Sequence, residues 1–274
     1  MALKPIPRAT TLRLKAEAKA TGTKIRLGKA IEPSRRTEVQ YRKELYALVN
    51  QMAEDVRRDI FPLLNRFEKD YVADVSFTGI IAAAIETLTF RYRQIVSVFA
   101  PVTATDMVDS EYVENTKRYG KGIPDDQPTP TVPTNRMEPT IEASVAENVS
   151  LIKSIPEEYF KDITSIVMQS VNQGEAAGSI EQKLQDRVGV TRRRAKLIAR
   201  DQVAKVSAAI NQRRQMELGV TEYVWITSQD SRVRPTHKAN HGKVFRWDSP
   251  PAKTGPPGHD VNCRCVARAV IPTF

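Results

Sequence analysis

The sequence predicts an α+β protein that is predominantly α-helical and ends in a small C-terminal antiparallel β-sheet module. Between residues 38 and 218, outside one proline-rich stretch, apolar residues recur every three or four positions, as in amphipathic helices. After Gly219 the period changes to two, which is the pattern of strands. A hydrophobic content of 41% over 274 residues suffices for one large or two modest domains.

Residues 1–36 are predicted to form a basic flexible arm. They contain ten lysines and arginines against Glu17 and Glu32, no aromatic residue and few large apolar ones. Such a segment cannot offset its ordering entropy by burial. Two interpretations are open: a tail that lies on DNA or on an acidic partner surface, or a merely solvated terminus. The candidate contact residues are Arg13, Lys15, Lys19, Arg35 and Arg36.

The whole chain shares this basic character, with a formal net charge of +10 that favours polyanionic partners. No run of 18 or more apolar residues occurs, and the N-terminus lacks the apolar segment of a secretory signal. We therefore expect neither a membrane anchor nor a signal peptide.

Residues 37–118 are predicted to be an N-terminal helical region. Its first helix is indicated by one apolar stripe, made of Tyr41, Leu45, Leu48, Met52, Val56 and Ile60. Pro62 is placed to begin a second helix. A third helix, with its apolar stripe between Ile81 and Phe99, is predicted to end at Pro101.

Residues 119–139 contain five prolines and are predicted to be a linker before a C-terminal domain at 140–274. The clearest helix of this domain runs from Thr191, as N-cap, to Leu218, with Gly219 as the stop. Three cations would then oppose the helix dipole on its first turn, so they are either partner contacts or a solvated face. They are Arg192, Arg193 and Arg194.

Three short strands are predicted after this helix, at residues 223–227, 243–247 and 265–271. Long loops rich in proline and glycine join them. A sheet of this size has little core of its own, so it must lean on the preceding helix or be stapled by another interaction.

The chemistry-bearing residues are concentrated in this module, since all three histidines and both cysteines lie between residues 237 and 265. One interpretation is a tetrahedral zinc site, although the spacing is not one of the strong zinc signatures. Its ligands would be His237, His259, Cys263 and Cys265. The other is a loop network in which the histidines bond to backbone or to Asp230 and the thiols are buried as small apolar groups. A Cys-x-Cys pair does not indicate a disulfide framework.

A third interpretation is enzymatic. His237, His241 and Asp230 could serve a metal-dependent hydrolase or nuclease, and Cys263 with His259 a thiol nucleophile and its base. Neither is accompanied by a phosphate-binding loop, a paired-carboxylate motif or a nucleophile signature. The prediction is therefore a protein without catalytic residues, with a metal-dependent nuclease or toxin-like effector as the alternative.

Residues 191–266 resemble the phage head morphogenesis domain of Mu F-like minor capsid proteins. The resemblance rests on the order of a helix (KLIARDQVAKVSAAINQRRQMELG), an aromatic strand (EYVWITSQD), DSRVRPTH, HGKVF and a closing PPGHDVNCRC. Many members have His-Pro before the Cys-Arg-Cys, whereas this chain has His259 followed by Asp260 and Val261. The motif positions are Asp230, Arg232, Arg234, His237, Gly242, His259, Cys263, Arg264 and Cys265.

The resemblance implies a structural virion protein of a tailed bacteriophage, present in several copies inside the head near the portal vertex and made in the host cytoplasm. Its implied partners are the portal protein, major capsid or scaffold proteins and the phage double-stranded DNA. It would act in head assembly and in DNA packaging or ejection. Contacts with DNA would be made largely to phosphates, and would be non-specific and salt-dependent.

Overall fold

The protein is seen in a computed structural model that describes residues 6–20, 22, 24–69, 75–120 and 132–273. The fold is α+β and mostly helical, as predicted. In order, the elements are α1 (Arg8–Ala20), β1 (Lys24–Leu27), α2 (Arg35–Asp59), α3 (Phe61–Lys69), α4 (Val75–Gly120), α5 (Thr134–Asn172), α6 (Ala177–Glu217), β2 (Glu222–Ile226), α7 (Pro235–Asn240), β3 (Val244–Arg246) and β4 (Val266–Thr273).

The chain divides into two compact units, each assembled from separate segments. The sheet unit contains Met1–Thr37, Met107–Ser144 and Arg200–Phe274. The helical unit contains Glu38–Asp106 and Val145–Ala199. Helices α4, α5 and α6 each contribute residues to both units, which no reading of one segment at a time would reveal.

The division therefore differs from the predicted sequence of a helical region, a linker and a C-terminal domain. Of the predicted linker, residues 121–131 lie outside the described residues, and residues 134–139 form the start of α5. The proline at position 139 is the sixth residue of α5, so the helix tolerates it at the cost of one i to i−4 hydrogen bond.

The helical unit contains the apolar stripe predicted for α2. All six of its residues are buried, together with Leu64 of α3 and Ile81, Ile85 and Leu88 of α4.

The unit also buries an ionic group: Tyr92 donates a hydrogen bond of 2.8 Å to Asp55, which is also paired with Arg58 at 2.8 Å. Tyr92 packs on Phe160 of α5 with ring centroids 5.2 Å apart. No described helix combines the length and apolar character needed to cross a membrane.

Two predicted helix boundaries are wrong. Pro101 lies inside α4 and is exposed, because the buried stripe continues beyond it through Ala104 and Val108. Burial of these residues outweighs the cost of about 3 kcal/mol for an interior proline. Thr191 is a buried residue within α6, whose hydroxyl donates to the carbonyl of Arg187 at 3.1 Å. The arginines that follow it therefore lie in mid-helix, not on a first turn. The predicted stop at Gly219 agrees with the end of α6 at Glu217.

The sheet is antiparallel with strand order β1-β4-β2-β3. Alternation along β2 sends Tyr223 and Trp225 to one face and Val224 and Ile226 to the other, and all four are buried. On the first face they join a cluster with Trp247, Cys263, Cys265 and Ala267. The second face is covered by apolar residues that include Leu14 of α1. All three predicted strands are present, and both faces of the sheet are covered.

The prediction of an unstructured arm is wrong for most of residues 1–36. Residues 8–20 form α1, which buries Leu14 and Ala18, and β1 pairs with the edge of β4. The segment builds no core alone, but the C-terminal strands provide a sheet face and a free edge that it covers. Residues 1–5 lie outside the described part of the chain.

One carboxyl of the sheet unit is fully buried. Both oxygens of Glu111 accept the backbone N–H of Ser34, at 3.1 and 3.2 Å. Burial raises the pKa of Glu111 to about 7, although hydrogen bonds from Ser207 and Ser34 act in the opposite direction. The folded protein therefore holds a proton on this group at pH values where the unfolded chain has released it.

We expect this carboxyl to make stability fall as the pH rises from 4.5, its unperturbed pKa, to about 7. Ionisation of the buried group costs about 3 kcal/mol by the relation of pKa to free energy. Glu111→Gln should remove that part of the pH dependence, leaving the variant more stable than wild type above pH 7. Thermal unfolding across this range tests it, with Glu86→Gln on an exposed position of α4 as the control. Parallel profiles for Glu111→Gln and wild type would contradict it.

Candidate functional site

The predicted site residues meet at the C-terminal edge of the sheet unit, where the loops after β2 and before β4 approach each other. After β2 the chain turns through Gln229, which has a positive φ of 51°, and enters the short helix α7 with Pro235 at its first position. Helix α7 places His237 in the interior, where its side chain is 2% exposed.

Asp230 and Arg264 link the two loops. The Arg264 guanidinium binds the Asp230 carboxylate with both terminal nitrogens, Nη2 at 2.6 Å from Oδ1 and Nη1 to Oδ2. The same carboxylate accepts the backbone N–H of Arg232 at 2.9 Å. The hydrogen bonds from Arg264 hold the pKa of Asp230 well below its usual range, helped by that backbone N–H. This pair positions the Cys-Arg-Cys segment relative to the loop that follows β2.

A second link is made by Arg234, whose guanidinium donates to the carbonyl of Val261 at 2.8 Å. Gly242 occupies a crowded position beside the N-terminal segment. A Cβ built there would lie 2.6 Å from Cδ of Pro7, and its own N–H donates to the carbonyl of Trp225 at 2.8 Å. The side chain of Arg232 is exposed. Asp230, Arg234, Gly242 and Arg264 therefore act in the architecture of the module.

His237, Cys263 and Cys265 form a compact buried cluster. Nδ1 of His237 lies 3.5 Å from Sγ of Cys263 and 3.4 Å from Sγ of Cys265. Its Nε2 lies 2.8 Å from Oδ2 of Asp260. A carboxylate only accepts hydrogen bonds, so this contact places the ring proton on Nε2 and leaves the Nδ1 lone pair facing the sulfurs. Both cysteines are free thiols.

The two thiols titrate as a coupled pair. A hydrogen bond from Cys265 lowers the pKa of Cys263 to about 6, and backbone N–H groups of Cys265 and Gly258 act in the same direction against burial. The pKa of Cys265 is raised, first by that same hydrogen bond and then by its burial. The pair therefore releases one proton readily and holds the second, as expected for two thiols that share a site.

Helix α6 holds the turn that carries the cysteines. Asp201 accepts the backbone N–H of Asn262 at 2.5 Å, and Asn262 has a positive φ of 58°. Gly258, with φ of 91°, lies so close to the helix that an added Cβ would be 2.3 Å from Cβ of Ala208. These contacts fix the position of the Cys-Arg-Cys segment on the helix that precedes the sheet.

Two of the three histidines lie outside this cluster, which corrects the predicted ligand set at His259. His259 is exposed and its ring lies against Gly255. His259 points away from the cluster because the turn after Gly258 brings Asp260, and not His259, to the His237 ring. His241 accepts the backbone N–H of Thr227 through Nδ1 at 3.1 Å.

The predicted contact cations fall in both units. Arg13, Lys15 and Lys19 are exposed on α1, and Arg35 and Arg36 are exposed at the start of α2. In the helical unit, Arg192 and Arg193 are exposed, whereas Arg194 is paired with Glu158 at 2.8 Å. Arg192 also bonds to the side chain of Asn50. On α1, Arg13 is paired with Glu17 at 3.4 Å, whereas Lys15 and Lys19 are exposed.

Sequence reasoning missed four residues of the site: Asp201, Trp225, Gly258 and Asp260. Trp225 lies edge-on to the His237 ring, with centroids 5.4 Å apart and planes at 86°. The departure from His-Pro at position 260 was the one available signal for Asp260. Nothing in the local sequence marks Asp201, because its role depends on where α6 crosses the turn.

Residues 161–268 match the family model described as Phage Mu protein F like protein. Over 248 residues the chain is 32% identical to an uncharacterized protein of Haemophilus influenzae. This alignment covers 89% of the present chain and 55% of that protein. The chain thus spans about half the length of this relative. No solved structure matches the present chain. The C-terminal part of the chain, residues 161–268, is therefore similar to Phage Mu protein F like proteins, and the residues from Asp230 to Cys265 lie inside this match.

Proposed function

We propose that this chain is a minor head protein of a tailed bacteriophage, associated with the portal and the inner capsid during head assembly. The observation that carries the proposal is the Mu F-like match over residues 161–268. The network from Asp230 to Cys265 lies inside that match. Its contacts hold loops together, which suits a module that docks on other head components.

Contact with packaged DNA is the second part of the proposal, and it is supported by charge. The formal net charge is +10. The cations of α1 and of the α2 start belong to the sheet unit. Their side chains are exposed, so they can contact a phosphate without a change in the fold. Binding of this kind reads the phosphate backbone and not the bases. It suits an action in DNA packaging or ejection.

A catalytic role for the cluster is disfavoured by its burial. His237, Cys263 and Cys265 are 2%, 4% and 6% exposed, so a polymer substrate has no path to the sulfurs. The Cys–His–Asp order resembles a nucleophile, base and orienting acid, but such a nucleophile must reach its substrate. A metal-dependent nuclease would likewise need an open coordination position facing the nucleic acid.

Quantitative mass spectrometry of purified virions, DNA-free procapsids and DNA-emptied particles tests the assembly role. We expect the chain in procapsids and in virions at a fixed low copy number. Loss from emptied particles would add that it leaves with the genome. Absence from all three kinds of particle would overturn the proposal.

The DNA contact is tested by the salt dependence of binding. Replacing Arg13, Lys15 and Lys19 of α1 by glutamine should reduce the slope of log K against log salt by about 2 to 3, since each lost phosphate contact contributes about 0.9. The control carries glutamine at Lys238, Lys243 and Lys253, which loses the same charge from exposed positions elsewhere. Equal slopes for the two triple variants would show that α1 is not the contact surface.

A further inference from the structure

We propose that His237, Cys263 and Cys265 bind a single thiophilic divalent cation of the zinc class, with Asp260 as the residue that positions the imidazole. The proposal does not depend on the head-protein function. It rests on the spacing of the ligand atoms and on the orientation of the histidine.

The ligand atoms are spaced for tetrahedral coordination. Nδ1 and the two Sγ atoms all lie within 4.8 Å of one another, and the two N–S distances are 3.4 and 3.5 Å. Zinc bonds of ordinary length at tetrahedral angles would separate a nitrogen and a sulfur by about 3.6 Å. An ion could therefore enter between these atoms with little movement of the chain. Cysteine residues two positions apart extend to the same side of an extended segment, which is how both sulfurs reach one point.

The imidazole is already oriented as a metal ligand. Histidine ligands commonly donate their second ring N–H to a carboxylate, which fixes the ring and raises its basicity. Asp260 accepts at 2.8 Å from Nε2, so the lone pair of Nδ1 faces the sulfurs. The Trp225 ring packs nearly perpendicular to the imidazole, with ring centroids 5.4 Å apart. A purely apolar role for the two thiols would not require this carboxylate.

The charge of the occupied site would also balance. Two thiolates and one divalent cation sum to zero, which is the condition for burying ionised sulfur in an apolar cluster.

The fourth coordination position is assigned to water. Among the described residues, the group of close ligand atoms contains these three side chains and no other histidine, cysteine or carboxylate. A cavity of about 20 Å³ is lined by both cysteines and by the polar residues Ser207 and Asn211. That volume suffices for one water molecule. Three protein ligands hold an ion less tightly than four, so the metal is expected to exchange with chelators.

The first test is metal binding by the reduced full-length chain. Zinc content after dialysis, and cobalt titration followed by the thiolate-to-cobalt charge-transfer band, should both give one ion per chain. Cys263→Ser with Cys265→Ser, and separately His237→Ala, should lose the band. His259→Ala and His241→Ala are the matched histidine controls and should retain it. No charge-transfer band in wild type, or the same loss in His259→Ala, would overturn the assignment.

The positioning role of Asp260 needs a variant that keeps all three ligands. Asp260→Asn should weaken cobalt affinity about 10- to 100-fold, while the metal-free variant unfolds at the same temperature as metal-free wild type. If the variant lost stability without metal and kept wild-type affinity, Asp260 would be a structural residue only.

Zinc should also slow alkylation of both thiols in wild type and leave alkylation of the His237→Ala variant unchanged. Equal protection in that variant would exclude histidine from the site.

Discussion

Gly258→Ala is expected to destabilise the sheet unit by about 2 to 5 kcal/mol, from backbone strain and overpacking together. Gly258 has φ of 91°, which side chains rarely allow, and an added Cβ would lie 2.3 Å from Cβ of Ala208. Neither atom belongs to a flexible side chain, so the loop or the helix must move. The midpoint of denaturant unfolding, followed by tryptophan fluorescence, measures the effect, because both tryptophans of the chain lie in the cluster beside this loop.

The two causes can be separated with variants that each contain one of them. Gly174 has φ of 68° with open space around it, so Gly174→Ala should show strain alone, at about 1 to 2 kcal/mol. Ala208→Gly removes the methyl group that Gly258→Ala would meet and alone costs about 1 kcal/mol of helix propensity. The double variant should therefore be more stable than the sum of the two single effects by more than 1 kcal/mol. Simple additivity would show that the close approach to α6 contributes nothing.

The fold class followed from the sequence because periodicity is a local property. The stripe from Tyr41 to Ile60 is buried along its length, and the change of period after Gly219 marks the start of the sheet. Errors arose where tertiary burial overrode a local signal. Pro101 continues α4 because apolar residues on both sides of it are buried, and α1 is ordered because a sheet formed elsewhere in the chain receives it.

The site could be predicted in its composition but only partly in its geometry. Concentration of histidine and cysteine between residues 237 and 265 indicated the place, and three of the four suggested ligands do converge. The fourth, His259, failed because a turn of a few residues decides which side chain faces inward. Asp260 and Gly258, its neighbours, carry the orientation of His237 and the approach to α6, and neither property has a signature in spacing.

The second large expected effect is a loss of stability when Trp225, in the buried cluster of the sheet, is replaced. Trp225→Ala should lower stability by about 3 to 5 kcal/mol, as expected for removal of a buried tryptophan. Trp225 is fully buried between the His237 ring and Phe245, whose centroids lie 5.4 and 6.1 Å from it. The remaining tryptophan, Trp247, reports unfolding of the same cluster by fluorescence.

Trp225→Phe keeps part of this contact area and should recover at least half of the loss, whereas Phe90→Ala, at a position 63% exposed, should change stability by less than about 0.5 kcal/mol. Trp225→Phe also tests the cluster of His237, Cys263 and Cys265, because the Trp225 ring packs against the His237 ring. We expect Trp225→Phe to bind cobalt more weakly than wild type while remaining folded. Unchanged stability in Trp225→Ala would mean that the cluster is held by its hydrogen bonds alone, and that the sheet does not depend on this face for its core.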